Sequence, residues 1–152
     1  MNALTLLEDD HKDIKKLLNK ADDTTERAVK TRAALLREIG VKLTAHEKIE
    51  EEIFYPALKE HPKAKDIVLE GYQEHHVVDL IMGELKDLDV DDEKWGAKFA
   101  VMKETIEHHI EEEEGEMFTK ARAAFSAEEL DELGERMQAM KEEILTGSLT
   151  SK

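Results

Sequence analysis

The amino-acid sequence predicts an all-α protein, an up-down-up-down four-helix bundle with an additional C-terminal helix. Apolar residues recur at intervals of three and four along almost all of the 152 residues, which is the period of an amphipathic helix. The chain has only two prolines, and aromatic residues make up 5% of it, a composition that favours helices over a β-sandwich. Short polar segments separate the periodic stretches, as expected for long helices that pack as antiparallel neighbours.

Capping and helix-breaking residues set the predicted ends of the helices. Asn2 is a suitable N-cap, because its side chain can accept a hydrogen bond from a free N–H group of the first turn. The second helix ends before His61-Pro62, since a residue that precedes proline disfavours the helical conformation. An acidic turn precedes the fourth helix, and the capping-box sequence Ser126-Ala127-Glu128-Glu129 begins the fifth, which ends near Leu145. The predicted helices cover residues 3–20, 26–59, 64–88, 93–124 and 126–145.

The length of 152 residues fits a single domain and is sufficient for a buried hydrophobic core. We expect the bundle to cover residues 1–125, the fifth helix to pack on it over 126–145, and residues 146–152 to form a flexible tail. No apolar run reaches the roughly 20 residues that a transmembrane helix needs. The first ten residues lack the basic and apolar regions of a signal peptide, so a cytoplasmic location is expected.

The charge balance and the cysteine content narrow the possible functions. Lys and Arg total 22 against 37 Asp and Glu, which gives a formal net charge of −15. This balance argues against binding to nucleic acid or to an anionic membrane surface, because both need a basic footprint. It permits a cation as partner. The absence of cysteine excludes disulfides, thiolate metal sites and iron–sulfur clusters.

Histidines interrupt the apolar stripes of the four long helices. Each stripe carries one histidine, and the second and fourth stripes add a glutamate one turn later. Six polar residues therefore stand where the seam of a bundle would have leucine. The stripes are Leu4, Leu7, His11, Ile14 and Leu18; Leu35, Ile39, Leu43, His46, Glu50, Ile53 and Ala57; Val68, Gly71, His75, Val78, Met82 and Leu85; and Phe99, Met102, Ile106, His109, Glu113 and Met117.

The two halves of the chain repeat one pattern. The motif around the first histidine, Asp10-His11-x-x-Ile14, recurs as Glu74-His75-x-x-Val78. The acidic run after His46 recurs after His109, and an aromatic residue follows nine positions after each, Tyr55 and Phe118. The spacings within the halves agree, 46 − 11 = 35 and 109 − 75 = 34. Two such hairpins around a pseudo-twofold axis would bring all six polar residues together at mid-bundle.

The six residues have the chemistry of a dinuclear metal site. Residues four apart differ by only about 40° around a helix, so His46 and Glu50 share one face, as do His109 and Glu113. A neutral imidazole supplies one lone pair, and a carboxylate can bridge two metals. Nitrogen and oxygen ligands without sulfur suit iron, manganese or zinc. Without a cation, two glutamates that face each other in a core would repel, so a metal-free core is energetically costly.

The combination of these motifs resembles the hemerythrin-like, HHE cation-binding domains over residues 1–125. This resemblance implies a non-haem di-iron centre with an oxo or hydroxo bridge, in which the bridging carboxylates are Glu50 and Glu113. The matching segments are Asp10-His11-x-x-Ile14, His46-x-x-x-Glu50 followed by Glu51-Glu52-Ile53-Phe54-Tyr55-Pro56, Glu74-His75-His76, and His108-His109-x-x-x-Glu113 followed by Gly115-Glu116-Met117-Phe118. The implied terminal ligands are His11, His46, His75 and His109.

One position departs from the oxygen-carrying hemerythrins that the chain resembles. Those proteins have a fifth histidine one turn after the ligand on the third helix, where this chain has Asp79. The change leaves two coordination positions open instead of one, and water, Glu47, Tyr72 or Asp79 could fill them. An additional labile position would favour reaction with peroxide, nitric oxide or dioxygen over reversible carriage of dioxygen.

Several functions remain open on this basis. The first is a di-iron protein that interacts with O2, peroxide or NO in sensing, storage, detoxification or iron handling. The second is an enzyme that decomposes peroxide or reduces NO at the same centre, with no catalytic residues separate from the metal ligands. The third is a metal-regulated interaction module. Manganese or zinc could replace iron, and the sequence fixes no oligomeric state.

Other residues of these motifs have simpler interpretations. His76 and His108 lie one residue off the seam and are interpreted as flanking residues. The remaining acids of the runs 50–52 and 111–114 are interpreted as a solvated face. The aromatic residues are interpreted as core or end-packing residues, some of which could line a dry pocket over the metals: Phe54, Tyr55, Trp95, Phe99 and Phe118.

Overall fold

A computed structural model describes residues 1–150, with side chains described to Gly147, and confirms the all-α bundle. The two long helices that carry a glutamate are each interrupted by a five-residue π-helical segment, Glu50–Phe54 and Glu113–Met117. A 3-10 turn, Pro62–Ala64, connects the two halves. The α-helices are α1 Ala3–Asp22, α2 Val29–Ile49, α3 Tyr55–Lys59, α4 Lys65–Asp87, α5 Trp95–Glu112, α6 Phe118–Ala124 and α7 Ala127–Thr150.

The caps predicted for the first and last helices are confirmed. The N–H of Thr5 donates to Oδ1 of Asn2 over 2.9 Å. Ser126 and Glu129 form a reciprocal capping box, in which the Ser126 N–H donates to Glu129 Oε1 over 2.9 Å and the Glu129 N–H to Ser126 Oγ over 3.1 Å. These hydrogen bonds satisfy N–H groups that have no partner within the helix.

Several helix ends differ from the predicted ones by one to five residues; the first helix, for example, ends at Asp22 rather than 20. The second helix begins at Val29 rather than 26, because Thr25 accepts from the backbone of Ala28 in a turn. The fourth helix begins at Trp95 rather than 93, because the preceding acidic turn extends to Lys94, whose N–H donates to the side chain of Asp92. The last helix continues to Thr150 and is longer than predicted; residues 151–152 of the predicted tail lie outside the described residues.

The apolar core is divided into two clusters along the bundle axis. One cluster contains residues near the N-terminal ends of α1 and α4, such as Leu7 and Val68, together with Phe118. The other contains residues such as Ile14 and Val78. Along each of the four long helices, the histidines and glutamates of the seam lie between residues of the two clusters. The polar layer therefore sits at mid-bundle, between two dry regions.

Helix α7 packs along α1, α2 and the first π segment. Its inward residues Leu130, Leu133 and Met137 are buried in the same cluster as Leu7. The helix approaches the N-terminus closely at Gly134, where a Cβ atom would lie 2.2 Å from the carbonyl oxygen of Met1. None of the helices within residues 1–150 has the length and apolarity needed to cross a bilayer.

Candidate metal centre

The structure brings all six predicted residues together in the middle of the bundle. All six are buried, and Glu50 is fully inaccessible. Their donor atoms form two overlapping groups in which the atoms lie within 4.8 Å of one another. The first group is His11, His46, Glu50 and Glu113, and the second is Glu50, His75 and His109. Each group takes its two histidines from one hairpin, as the internal repeat predicts.

Each glutamate faces histidines from both halves. Glu113 directs Oε1 to Nε2 of His11, 3.0 Å away, and Oε2 to Nε2 of His109, 3.1 Å away. Oε1 of Glu50 lies 3.0 Å from Nε2 of His75 and 3.3 Å from Nε2 of His46. A carboxylate with one histidine pair on either side is placed to bridge two cations.

Unpaired atoms at the centre fit a bound cation. Among the described side chains, only three buried polar atoms lack a hydrogen-bond partner, and two of them, His46 Nε2 and Glu50 Oε2, belong to this centre. Both atoms are lone-pair donors in the protonation states that metals require. An unpaired buried polar atom is costly, and a cation between these atoms removes the cost.

The electrostatics of the two glutamates favour the same conclusion. Burial and the nearby negative charge of Glu113 raise the pKa of Glu50 well above its ordinary value. Burial also acts to raise the pKa of Glu113, but hydrogen bonds from Glu50 and His109 hold it well below its ordinary value. Without a metal, a proton is therefore held by Glu50 rather than by Glu113. A cation can replace that proton.

In each histidine pair, the surroundings lower the pKa of one ring and raise that of the other. Burial and the positive charge of His109 lower the pKa of His75 to about 3. Burial also acts to lower the pKa of His109, but Glu113 and Glu74 raise it more strongly, to about 10. In the other pair, burial is the largest cause and lowers the pKa of His46, whereas Glu113 and Glu114 overcome burial and raise that of His11.

Every one of the four histidines is held from outside by a carboxylate on its Nδ1 atom. The distances are 2.6 Å for His11 with Glu114, 2.9 Å for His46 with Asp10, 2.7 Å for His75 with Glu51, and 2.6 Å for His109 with Glu74. A carboxylate acceptor on Nδ1 fixes the ring tautomer and turns the Nε2 lone pair inward, as in carboxylate–histidine–metal arrangements.

The interpretation of the acidic runs as a solvated face is thus wrong for two of their members. Glu51 and Glu114 are partly exposed, yet each holds a histidine of the opposite hairpin. The signal was present in the sequence. An acid precedes the first histidine of each half, at Asp10 and Glu74, and a second acid follows each bridging glutamate.

Tyr55, interpreted from the sequence as a core residue that could line a dry pocket over the metals, brings a polar group to the centre that the sequence did not predict. Its hydroxyl donates to Oε2 of Glu113 over 2.8 Å and lies 3.4 Å from Nε2 of both His75 and His109. Its ring stacks on His75, with centroids 5.4 Å apart. The hydroxyl reaches the centre because Gly71 has no side chain; a Cβ atom there would lie 2.8 Å from the hydroxyl oxygen.

The two π segments explain how Tyr55 reaches this position. Each begins at a glutamate of the centre. The wider turn closes where the N–H of Tyr55 donates to the Glu50 carbonyl, and likewise where that of Phe118 donates to the Glu113 carbonyl. Such a turn takes up one residue more than an α-helical turn and is frequent at functional sites. It turns the aromatic residue that follows the glutamate toward the centre.

The three additional candidate ligands differ in their burial and in the cavities that they line. Glu47 is buried and lines a small cavity of about 20 Å³ together with all four histidines. Burial and a hydrogen bond with Asp79 raise the pKa of Glu47 to about 9. Asp79 is exposed in a groove of about 400 Å³ between α2 and α4, which Glu47 also lines.

Tyr72 is the third of these candidates. Its hydroxyl donates to the backbone carbonyl of Glu51 over 3.3 Å, so the structure gives it a partner on the π segment. The two flanking histidines, His76 and His108, are exposed, in agreement with their interpretation.

The fold and the site together define a class of protein, the helical bundles that can hold cations between histidines and carboxylates in their core. Residues 2–121 match the model of the hemerythrin HHE cation-binding domain, and the chain belongs to that family. The chain is also similar to the crystal structure of a hemerythrin HHE cation-binding domain-containing protein from Mycobacterium kansasii. That similarity covers 98% of this chain and 90% of the other at 28% identity, with a TM-score of 0.86. No curated protein matches the chain.

Proposed function

We propose that the chain binds two iron ions at this centre and that the centre reacts with O2, peroxide or NO. The observation that carries the proposal is the position of each bridging glutamate between one histidine pair and the other. His11 and His46 would hold one ion and His75 and His109 the other, with Glu50 and Glu113 between them. The resemblance to hemerythrins supports iron, and nitrogen and oxygen donors also accept manganese or zinc.

The residues of the chain prepare this centre in three ways. The outer carboxylates fix each Nε2 lone pair toward the middle of the bundle. The two apolar clusters exclude water above and below the polar layer. Tyr55 places a hydroxyl proton beside one histidine pair. Bound iron would supply redox chemistry and open coordination positions for a small oxidant or diatomic ligand.

The first experiment is elemental analysis of the protein purified from iron-replete cells. We expect about two irons per chain in the wild type and a large loss in the Glu50→Ala, Glu113→Ala double variant. Glu52→Ala is the matched control, because Glu52 lies in the same acidic run but is exposed. One zinc per chain, no metal, or equal iron in the double variant and the wild type would contradict the proposal.

A second candidate is an enzyme that decomposes peroxide at the same centre. The observation that favours it is the buried Tyr55 hydroxyl, a proton donor 3.4 Å from both His75 and His109. We expect peroxide turnover by the iron-loaded wild type to be well above that of the double variant. Equal turnover by the two proteins would remove this candidate while leaving iron binding intact.

A further inference from the structure

Helix α7 reaches the proposed metal centre through one side chain. Nζ of Lys141 lies 2.5 Å from Oδ1 of Asp10, and Oδ2 of the same carboxylate lies 2.9 Å from Nδ1 of His46. Asp10 and His46 are both buried, and the Lys141 side chain is 27% exposed. The chain of contacts therefore runs from the surface of α7 to the outer ring nitrogen of a histidine of the centre.

The position of Lys141 is fixed by the packing of α7 rather than by a flexible surface contact. Met137 and Leu133 are buried in the core one turn and two turns earlier on the helix, respectively. Gly134 lets α7 approach the backbone at the start of α1, the helix that carries Asp10. Helix α7 lies outside the residues 2–121 that match the family model, so this contact comes from beyond the matched domain.

Among the described residues, no lysine or arginine contacts the equivalent carboxylate in the other half of the centre. Glu74 holds His109 as Asp10 holds His46, but the groups beside Glu74 are His108 and Glu112. Lys141 therefore distinguishes one histidine pair from the other, although the two hairpins are otherwise built alike.

We propose that Lys141 is a positioning residue, which holds Asp10 against His46 and thereby couples the docking of α7 to metal binding by the His11–His46 pair. This inference rests on the proposed function. An ammonium that occupies Oδ1 leaves Oδ2 as the acceptor for His46. Without it, the carboxylate can turn toward water, and His46 loses its fixed orientation. Coupling between two equilibria is reciprocal, so metal binding also stabilises the docked helix.

The test compares metal affinity in Lys141→Met with that in Lys42→Met. Lys42 lines the same small pocket as Lys141, but its Nζ lies 3.9 Å from the exposed Asp13. Both variants remove one positive charge and keep the aliphatic stem. Loss of a group that orients a metal ligand typically costs about 10- to 100-fold in affinity. We expect at least a 10-fold loss of Fe²⁺ affinity in one of two binding steps for Lys141→Met, and none for Lys42→Met.

Two histidine variants locate the affected step. In His75→Ala, which keeps the His11–His46 pair, Lys141→Met should lower the affinity of the remaining site at least 10-fold. In His11→Ala, which keeps the other pair, it should change nothing. Lys141→Arg should keep most of the wild-type affinity. Asp10→Asn alone should lower the affinity as much as Lys141→Met does, and the double variant Asp10→Asn, Lys141→Met should lower it no further.

Hydrogen exchange of the amides of α7 provides a readout independent of activity. We expect Fe²⁺ to slow exchange around Lys141 in the wild type and in Lys42→Met but not in Lys141→Met. If the wild type binds two metals and Lys141→Met matches Lys42→Met in both measurements, the inference fails and the proposed function stands. If the wild type binds no metal, both fail. An equal loss in the His75→Ala and His11→Ala backgrounds also overturns the inference.

Discussion

The two hairpins around the centre are alike in the residues that would hold the metals and different in the residues next to them. In both halves, an acid before the first histidine holds the second histidine, and an acid after the bridging glutamate holds a histidine of the opposite hairpin. In both, an aromatic ring stacks on that opposite histidine, Tyr55 on His75 and Phe118 on His11.

The differences lie at equivalent positions of the repeat. Tyr55 carries a hydroxyl where Phe118 has none, and Gly71 makes room for that hydroxyl where the other half has Leu7. Glu47 follows the second histidine of one half, and the buried Ile110 follows that of the other. The duplicated residues are those suited to holding cations, whereas two polar groups, the Tyr55 hydroxyl and the Glu47 carboxyl, have no counterpart in the other half. This difference predicts that two metals bound by the two histidine pairs would be chemically unequal.

The largest expected effect comes from removing a residue that both halves share. Glu113→Ala should lose both metals, because Glu113 contacts a histidine of each pair. His75→Ala removes a donor from only one pair and should lose one metal, leaving about one per chain. Metal content of dialysed, reloaded protein checks both. Two metals retained in His75→Ala would show that the histidine is no ligand.

Protons should leave both halves when the metals bind. His109, with its pKa raised to about 10, and His11, whose pKa is also raised, must lose their protons to act as ligands, as must Glu50. Metal affinity should therefore rise with pH, by up to about tenfold per unit for each proton released. A pH indicator in weak buffer measures the release at pH 7. If one half alone releases a proton, His11→Ala and His109→Ala will differ in their effect.

The pKa of Glu47 predicts a pH-dependent loss of stability that the other half lacks. The folded-state pKa of Glu47 is about 9, above its unfolded value, so the folded protein holds this proton more tightly than the unfolded chain does. The contribution of protonated Glu47 to the free energy of unfolding is therefore complete below about pH 4.5 and is lost as the pH rises toward 9. At pH 7 the loss amounts to about 3 kcal/mol. Glu47→Gln, which stays neutral, should raise the free energy of unfolding of the metal-free protein by about that amount.

Denaturant unfolding of the metal-free protein at pH 5 and at pH 8 tests this expectation. Glu52→Gln removes a charge from the same groove at an exposed position and serves as the control. A stability gain in Glu47→Gln that is the same at both pH values would exclude titration of Glu47 as its cause.

The space beside Tyr55 is tested by two glycines of the same helix. Gly71→Ala would place a Cβ atom 2.8 Å from the Tyr55 hydroxyl, and overpacking of this kind costs about 1–3 kcal/mol. At Gly83 nothing lies within 4 Å, so Gly83→Ala should stabilise the helix by up to about 1 kcal/mol. Thermal unfolding of the metal-free variants compares them. Equal stability of the two would mean that the Tyr55 ring moves aside freely.

The smallest expected effect comes from making the two aromatic positions alike. Tyr55→Phe removes the hydrogen bond to Oε2 of Glu113, an atom that stays paired with His109. The free energy of unfolding should fall by about 1 kcal/mol. Metal content should stay the same while the rate of reaction with peroxide changes. Phe118→Leu is the control, since it alters the other side without touching a hydroxyl.

The sequence alone located the centre because its six residues follow the α-helical period. His46 and Glu50 are one turn apart, and so are His109 and Glu113, because each glutamate is only the first residue of its π segment. The α-helical period does not predict which side chains face the centre after Glu50 and Glu113, because the π segments interrupt it. Tyr55 comes nine residues after His46, and its position depends on the wider turn, which no α-helical count contains.

The outer contacts could be predicted in part. Asp10 and Glu74 recur beside the histidines in both halves, so their pairing could have been inferred from the repeat. The contact between Lys141 and Asp10 joins residues 131 positions apart. It depends on how α7 docks, and the amphipathic pattern of α7 shows which face is buried but not which helix it meets.

Because of the two π segments, the number of residues between each glutamate and the following aromatic residue decides which side chain reaches the centre. Each segment carries one residue more than an α-helix needs between the glutamate and the aromatic ring. Loss of one residue from the part of Glu50–Phe54 that follows Glu50, within 52–54, would leave a continuous helix that still carries all six donors. It would rotate every later side chain by about 100°, and the Tyr55 hydroxyl would leave the centre. A single codon gained or lost here could therefore exchange a centre with a built-in proton donor for one without, while the cation-holding residues stayed the same.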